Sequence, residues 1–513
     1  MMVVVADAGI PGNGKNDVPS AAGLREGFPE SLRGRRILLA TESLGPVNGV
    51  SRTTLSLVDY LRSNGVDLAV VAPRFDESRV KARISLANIR LSGHPLPYNP
   101  DLTVAHPFRY DRVCTRTFKP DLVYLASPAS VGFQFLLQIR QLQNPPVVIC
   151  NFQTDLSAYS EIIFPAGMDK YAVWLLGIVQ GFLFSHRSVH TIFYPSGGIR
   201  EYLESVGAPK DKLVQLGRGV DTDLFNPVRR NEEYRKQIAP NGEIVLVCIC
   251  RLAPEKGFKF LARAAERFVE AGLAFKLLIV GGNRNPAVEE EVRGYFLKVN
   301  DLTIFAGFKS GTDLAEAYAV GDVFLHCSIT ETFGLVVLEA MASGMPVIAR
   351  DQGGPSEIIR ENMTGFLTPP QDLDAFVKRT LQLCRNQDLR ATMSAAARLQ
   401  AEDTTWEKIN MRAAWQLNDA IEWQKQQIEA RKNRKPIRNW LYARYMNAKM
   451  ILVLPLVQLM RLQLAVGIVC FFWLIAVMPL IIHGSSAFSE KWKAVRNAQA
   501  WMGQWRNLFL KPT

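Results

Sequence analysis

Two carboxylates and two cations hold the chemistry that this chain could perform. Glu331 and Glu339 stand in the stretch Thr-Glu-Thr-Phe-Gly-Leu-Val-Val-Leu-Glu-Ala-Met-Ala-Ser-Gly, with seven residues between them. The apolar run 322–327 before them reads as a buried strand. Glu331 then falls in a loop, and helix formers continue to Ala342 before Gly344 and Pro346 stop them. A helix start carries unpaired backbone N–H groups and suits an anion. Glu339 lies more than one turn inside, among Val336, Val337, Leu338, Ala340 and Met341. Burying a carboxylate there is costly unless something hydrogen-bonds it. Glu339 is therefore either one point of an exposed polar stripe or a ligand for hydroxyl groups. In the second case Glu331 holds one part of a ligand, Glu339 another, and the helix N-terminus faces an anion. Arg251 and Lys256, on either side of Pro254, follow the strand-like run Glu243–Cys250. A planar fork and a point charge beside a helix start fit a diphosphate. Ordinary surface charge fits them as well.

The elements that must position these groups read as two α/β halves. In the first, Arg35–Ala40 is a strand, a loop containing Gly49 follows, a helix covers 51–63, and Val66–Ala72 is the next strand. Strand, glycine loop, helix and strand open a doubly wound domain. Gly49 allows close backbone approach just before a helix N-terminus. Asp121–Ala126 and Pro146–Cys150 read as buried strands, with Thr191–Ser196 as the last of this half. The run Pro146–Cys150 leads into Gln153, Thr154 and Asp155, polar residues at the carboxyl end of a strand, where open α/β sheets place ligands. Met168–Phe184 is apolar but carries Asp169 and Lys170, which suits a core or membrane-touching helix and not a span. His186 and His190 read as structural. In the second half, Phe275–Gly282 and 303–308 are further strands, and helices fill about 373–400 and 404–430. Asp221 and Asp223 lack neighbouring ligands, so no metal site is expected.

At 513 residues the chain is too long for one core. With 48% hydrophobic and 21% charged residues it is globular. A net charge of +12 suits phosphate-bearing ligands or an anionic membrane. The seven cysteines are odd in number and mostly sit in apolar runs, as in a reducing compartment. No secretory signal is visible, and residues 1–34 read as a disordered leader. Within it, residues 9–16 imitate a phosphate-binding loop. Asn16 stands where Mg²⁺ coordination needs Ser or Thr, which argues against that reading.

At the other end, residues 431–449 hold seven basic residues and no acid. Leu464–Ile482 is a nineteen-residue uncharged stretch, long enough to span a bilayer. Residues 450–483 are expected to attach the protein to a membrane, as one span or as an interfacial hairpin. The basic run then lies on the cytoplasmic side.

Taken together, these motifs resemble the retaining glycosyltransferases of glycosyltransferase family 4, which have the GT-B fold: two Rossmann-like doubly wound domains facing a cleft. Glu331 and Glu339 match the family's paired-glutamate signature, Arg251 and Lys256 its diphosphate pair, and Gly49 its N-domain glycine loop. Residues 217–228, including Gly217-Arg-Gly-Val-Asp, match its interdomain segment. The implied layout is a leader (1–34), an acceptor domain (35–216), a hinge (217–228) and a nucleotide-sugar domain (229–402). Return helices (403–430), a basic segment (431–449), a membrane segment (450–483) and a tail (484–513) follow. The likeness is greatest to GDP-mannose-dependent α-mannosyltransferases and, next, to sulfoquinovosyl-diacylglycerol synthases.

The resemblance implies Arg251, Lys256 and Glu331 as catalytic residues. It implies Gly49, Phe333, Gly334, Leu335 and Glu339 as donor-binding, and Gln153, Thr154 and Asp155 on the acceptor side. Many relatives carry His where Gln153 stands, and Gln cannot act as an acid or base. The implied partners are a nucleotide sugar (GDP-mannose before a UDP-sugar), a lipid or lipid-linked acceptor and an anionic membrane surface, with no nucleic acid, cofactor or metal. The implied place is the cytoplasmic face of a membrane, the endoplasmic reticulum or another endomembrane in a eukaryote. A UDP-sugar-dependent glucosyl- or sulfoquinovosyltransferase and a non-catalytic membrane adaptor are the alternatives.

Overall fold

The computed structural model describes residues 25–44, 49–74, 87–96, 99–153, 168–253, 256–283, 286–329 and 331–432, with Arg444, Tyr445 and Ala448. The phosphate-loop imitation, Thr154, Asp155 and the apolar stretch 450–483 lie outside them, as does most of the basic run. Among the described residues, no helix is long and apolar enough to cross a membrane.

Two parallel sheets organise the chain. The first contains β1 (Arg36–Thr41), β2 (Asp67–Pro73) and β3 (Ile89–Leu91); an antiparallel hairpin of β4 (Gly93–Leu96) and β5 (Asn99–Ala105) stands beside it. It continues with β6 (Leu122–Ala126), β7 (Val147–Asn151), β8 (Val189–Tyr194) and β9 (Leu213–Gln215), in the order β3-β2-β1-β6-β7-β8-β9. Its helices are α1 (Gly49–Ser63), α2 (Tyr110–Arg116), α3 (Ser130–Ile139), α4 (Met168–Phe184) and α5 (Gly197–Ser205).

The second sheet contains β10 (Ile244–Ile249), β11 (Phe275–Val280), β12 (Thr303–Phe305), β13 (Val323–His326), β14 (Val347–Arg350) and β15 (Gly365–Thr368). Their order is β12-β11-β10-β13-β14-β15. Its helices are α6 (Glu232–Ile238), α7 (Phe258–Glu270), α8 (Pro286–Gly294), α9 (Gly311–Ala319), α10 (Leu335–Ala342), α11 (Pro355–Ile358), α12 (Leu373–Arg385) and α13 (Gln387–Glu402).

The central strands are mostly apolar and buried because helices cover both faces of each sheet. In β1, Leu38 and Ala40 enter one core while Ile37 and Leu39 enter another. In β10, Leu246 and Cys248 face one way and Val245, Val247 and Ile249 the other. One helix reaches between the domains. α14 (Trp406–Lys432) leaves the second domain and lays Ile409, Ala413, Leu417, Ala420 and Ile421 on the first sheet. Burying each large aliphatic there is worth roughly 1.5–3 kcal/mol. Beside its start the two interdomain crossings touch, the Val220 N–H donating to the Thr404 carbonyl at 2.9 Å.

Two expectations need correction. The last strand of the first sheet is β9, not the one at Thr191–Ser196; at three half-exposed residues, β9 is too short to show periodicity. Residues 25–34, expected to belong to a disordered leader, are part of the folded first domain. Leu32 is fully buried, Phe28 packs on Tyr60, and Arg25 pairs with Asp419 of α14 at 2.7 Å.

Candidate active site

Strand order reverses between β1 and β6 in the first sheet and between β10 and β13 in the second. In open parallel sheets the crevice beyond the strand ends at such a reversal is where ligands bind. In the second domain that crevice holds the loop from β10 with Arg251 and Lys256, and the loop from β13 with Glu331.

Lys256 and Glu331, far apart in sequence, meet there. The Lys256 Nζ donates to Glu331 Oε2 at 2.8 Å. Burial opposes the charge on Glu331, but Lys256, His326 and Arg218 outweigh it and hold the carboxyl below the usual range. Burial likewise opposes the charge on Lys256, and Glu331 overrides it and raises the ammonium. Both groups therefore stay ionised through the neutral range. What the pair adds to stability is present above the ordinary carboxylate pKa and lost as pH falls through the lowered one. Arg251 lies exposed at the rim, close enough for its charge to act on Lys256.

α10 starts at Leu335, three residues after Thr332. Gly334, at φ +98°, is its N-cap in a left-handed conformation that suits glycine. The Gly354 N–H braces the loop by donating to the Glu331 carbonyl at 2.9 Å. Phe333 and Leu335 turn their side chains into the core, which leaves the helix N-terminus as the face they present to the crevice.

Glu339 is not on an exposed stripe: it is 2% exposed. Its Oε2 accepts from the Tyr318 hydroxyl at 2.8 Å. Burial and the Glu339 charge together push the Tyr318 phenol far up, so it remains a donor. Oε1 lies 2.7 Å from Arg52 Nη2. The two groups form a close ion pair, and the Glu339 carboxylate supports the charge on Arg52. Arg52 belongs to α1, so the ion pair crosses between the domains.

Gly49, the first residue of α1, comes equally close. A Cβ on it would stand 2.8 Å from Arg218 Nη1 and 3.7 Å from Leu335 Cδ1. The N-termini of α1 and α10 thus converge, with the Arg218 guanidinium between them. Arg218 is 7% exposed, donates to the Gln153 carbonyl at 3.1 Å and lies 5.7 Å over the Phe333 ring. Burial pulls it down to about 10, against the pull of Glu331 and with a push from Arg52. It is still charged at neutral pH. Gly49→Ala is expected to displace Arg218 and lower kcat/KM about tenfold or more, as small misplacements in a site do; steady-state kinetics on the folded variant checks this.

Gln153 ends β7's run into the crevice, 4% exposed, with neither amide atom of its side chain hydrogen-bonded. A buried amide without a partner is costly and points to a polar ligand. At the first domain's strand reversal, Glu42 plugs the N-terminus of α3. Its carboxylate accepts from the N–H groups of Ala129, Val131 and Gly132 at 2.8–2.9 Å and from the Ser130 hydroxyl at 2.9 Å. That anion position is filled by the protein itself. Asp221, by contrast, accepts from the backbone N–H groups of Asp223 and Leu224, at 3.2 and 2.9 Å, and serves its own turn.

A model of the group 1 glycosyl transferases matches residues 230–400, and one of glycosyltransferase family 4 matches residues 47–224. A GDP-mannose-dependent alpha-mannosyltransferase of Mycobacterium tuberculosis is 35% identical over 341 residues, 66% of this chain and 84% of that protein. The chain belongs to the group 1 glycosyltransferases. It is a hexosyltransferase that uses a nucleotide sugar. The sulfoquinovosyl transferase SQD2 of Arabidopsis thaliana is 31% identical, covering 74% of this chain and 72% of that one. Among solved structures, the Anabaena protein HepE in complex with UDP aligns with a TM-score of 0.61 at 18% identity, over 75% of this chain and all 100% of that one. A sucrose-phosphate synthase of Thermosynechococcus elongatus aligns with 0.60 at 18%, over 75% and 99%. These two likenesses concern the fold, which is GT-B.

Arg52, Arg218, Tyr318 and Glu42 complete the site and were not foreseen. Arg52 and Arg218 had a weak signal, each being a basic residue beside a crevice glycine. Tyr318 had none, because an aromatic on a helix usually means core.

Proposed function

We propose that the enzyme transfers mannose, with retention, from GDP-mannose to a lipid or lipid-linked acceptor at a membrane surface. The observation that carries the donor half is the pair of carboxylates, Glu331 with Lys256 and Glu339 with Tyr318, flanking the N-terminus of α10. In this reading Glu331 and the amides of Phe333–Leu335 hold the sugar, and Glu339 Oε1 accepts from the ribose hydroxyls. Arg251 and Lys256 stabilise the departing diphosphate, which a preorganised cation does most when charge develops. The diphosphate itself takes the acceptor proton. Gln153 cannot hold that proton, but its unsatisfied amide can orient a hydroxyl; Thr154 and Asp155 belong to the same side. Closure of the two domains about the crossings at Val220 and Thr404 excludes water and protects the donor from hydrolysis.

Similarity to the mycobacterial mannosyltransferase supports GDP-mannose, and similarity to SQD2 supports the second reading, a UDP-sugar-dependent glycolipid synthase. Transfer assays on the full chain with GDP-mannose, UDP-glucose and UDP-sulfoquinovose separate them. The first reading expects mannose transfer with the product in the α configuration; turnover of a UDP-sugar alone overturns it.

Attachment to a membrane rests on two features. The apolar stretch 450–483 is one. The other is α4, which leaves Trp174, Leu175, Ile178 and Phe182 exposed along one stripe while Leu176, Gln180 and Leu183 are buried beneath. Arg140 stacks on Phe182 at 3.9 Å, and Lys170 and Arg187 are exposed at the two ends. Apolar side chains edged by cations suit an anionic bilayer surface. The catalytic domains then lie on the cytoplasmic face. Replacing Trp174 and Phe182 together by Asp is expected to weaken co-sedimentation with phosphatidylserine vesicles several-fold while donor affinity stays unchanged; undiminished vesicle binding counts against α4 as a contact.

A further inference from the structure

Arg52 has no role in the donor chemistry above, yet it touches the most deeply buried carboxylate of the site. Its Nη2 sits 2.7 Å from Glu339 Oε1, the oxygen that the donor reading gives to the ribose. Two groups therefore have a use for one oxygen. The Arg52 side chain is 37% exposed against 2% for Glu339, so the arginine is the partner with freedom to move. Burial disfavours its charge, and the Glu339 carboxylate more than restores it. Arg218 is the like charge beside it.

The surroundings say where it would go. Arg52 is in the first turn of α1 and faces α10, whose N-terminus lies one turn before Glu339, about 6 Å along the axis. An arginine side chain covers that distance by changing rotamer. That end of α10 is where the N-terminus of α1, Arg218 and Lys256 also converge. Glu331 offsets Lys256 and Glu339 offsets Arg52. Among the described residues, no carboxylate lies within salt-bridge distance of Arg218. Arg218 thus lacks a carboxylate of its own at the place where an incoming phosphate would lie, while Glu339 and Asp221 both act on Arg52.

We propose that Arg52 is a positioning residue that exchanges partners when the donor binds. It leaves Glu339 Oε1 to the ribose and turns to the diphosphate, drawing α1 of the first domain against the donor held by the second. This rests on the assignment of the second domain's crevice as the donor site. The exchange makes a specific demand: Arg52 assists ligands that carry a diphosphate and competes with ligands that offer only a ribose.

The test is calorimetric titration of the full-length chain with GDP and with guanosine, and in parallel with UDP and uridine, for the unsubstituted protein, Arg52→Gln and Arg52→Lys. Thermal melting confirms that each variant is folded. Arg52→Gln is expected to weaken the diphosphate about tenfold and to leave the nucleoside equal or tighter. Arg52→Lys is expected to recover most of the diphosphate affinity. In turnover, Arg52→Gln raises the donor KM more than it lowers kcat. Equal losses for diphosphate and nucleoside would make Arg52 a mere support for Glu339 and overturn the exchange, as would no change in either. If the unsubstituted protein binds none of the four ligands, the donor assignment itself falls, and the exchange with it.

Discussion

Lys256→Ala is expected to lower kcat for hexosyl transfer by about a hundredfold or more while the protein stays folded. The magnitude is that of removing one preorganised electrostatic contact from a developing anion. Lys256 is the cation that the loop from β10 turns inward, 2.8 Å from Glu331. Its removal has a second, separable effect. Burial is the largest influence on Glu331 and acts to raise its pKa; Lys256 is the chief opposition. Without Lys256, burial acts with less to oppose it, and Glu331 begins to protonate at higher pH. The acid limb of the pH–rate profile is therefore expected to move upward in the variant. Lys256→Arg keeps the charge but changes its shape, and is expected to recover only part of the rate. Normal turnover by purified Lys256→Ala would remove the diphosphate clamp from the account.

Glu339→Gln is expected to act on binding more than on chemistry. A hydrogen bond to a charged group contributes roughly 1.5–3 kcal/mol, or about 10–150-fold in affinity. The donor KM should rise on that scale with a smaller change in kcat. Gln is the informative substitution because its carbonyl can still accept from the Tyr318 hydroxyl. Glu339→Ala would instead leave Tyr318 and Arg52 without their partner and mix a packing loss with a binding loss. If Glu339→Gln leaves both donor KM and GDP affinity unchanged, the carboxylate serves only the interdomain ion pair.

The fold was legible because its strands are short apolar runs separated by helices, a pattern that parallel sheets impose. The paired acids were legible in spacing but not in burial. Glu339 could have lain on a solvated stripe, and only packing against α9 and α1 decides that it does not. The reason is general: periodicity reports one helix, whereas burial of a polar residue depends on what the rest of the chain brings against it. Arg52 and Arg218 illustrate the same limit. Their partners, Glu339 and the Gln153 carbonyl, lie far away in sequence and in the opposite domain or beyond the hinge. Glu42 is a third case. An acid after the first strand looks like an ordinary loop residue until α3 presents three amides to it. Residues 25–34 misled in the other direction, since their composition suits a leader, yet Leu32 inserts into the core beneath α14.

In the proposed complex the nucleotide sugar lies between the facing N-termini of α1 and α10, its diphosphate at Lys256, its sugar at Glu331 and its ribose at Glu339. Hydrogen–deuterium exchange of the full chain, with and without saturating GDP (or UDP, if the donor screen selects it), tests this most directly. Slowed exchange is expected in peptides covering 256–261, 333–339 and the first turn of α1, with little change in α12. Protection confined to other segments, or none at saturation, would contradict it.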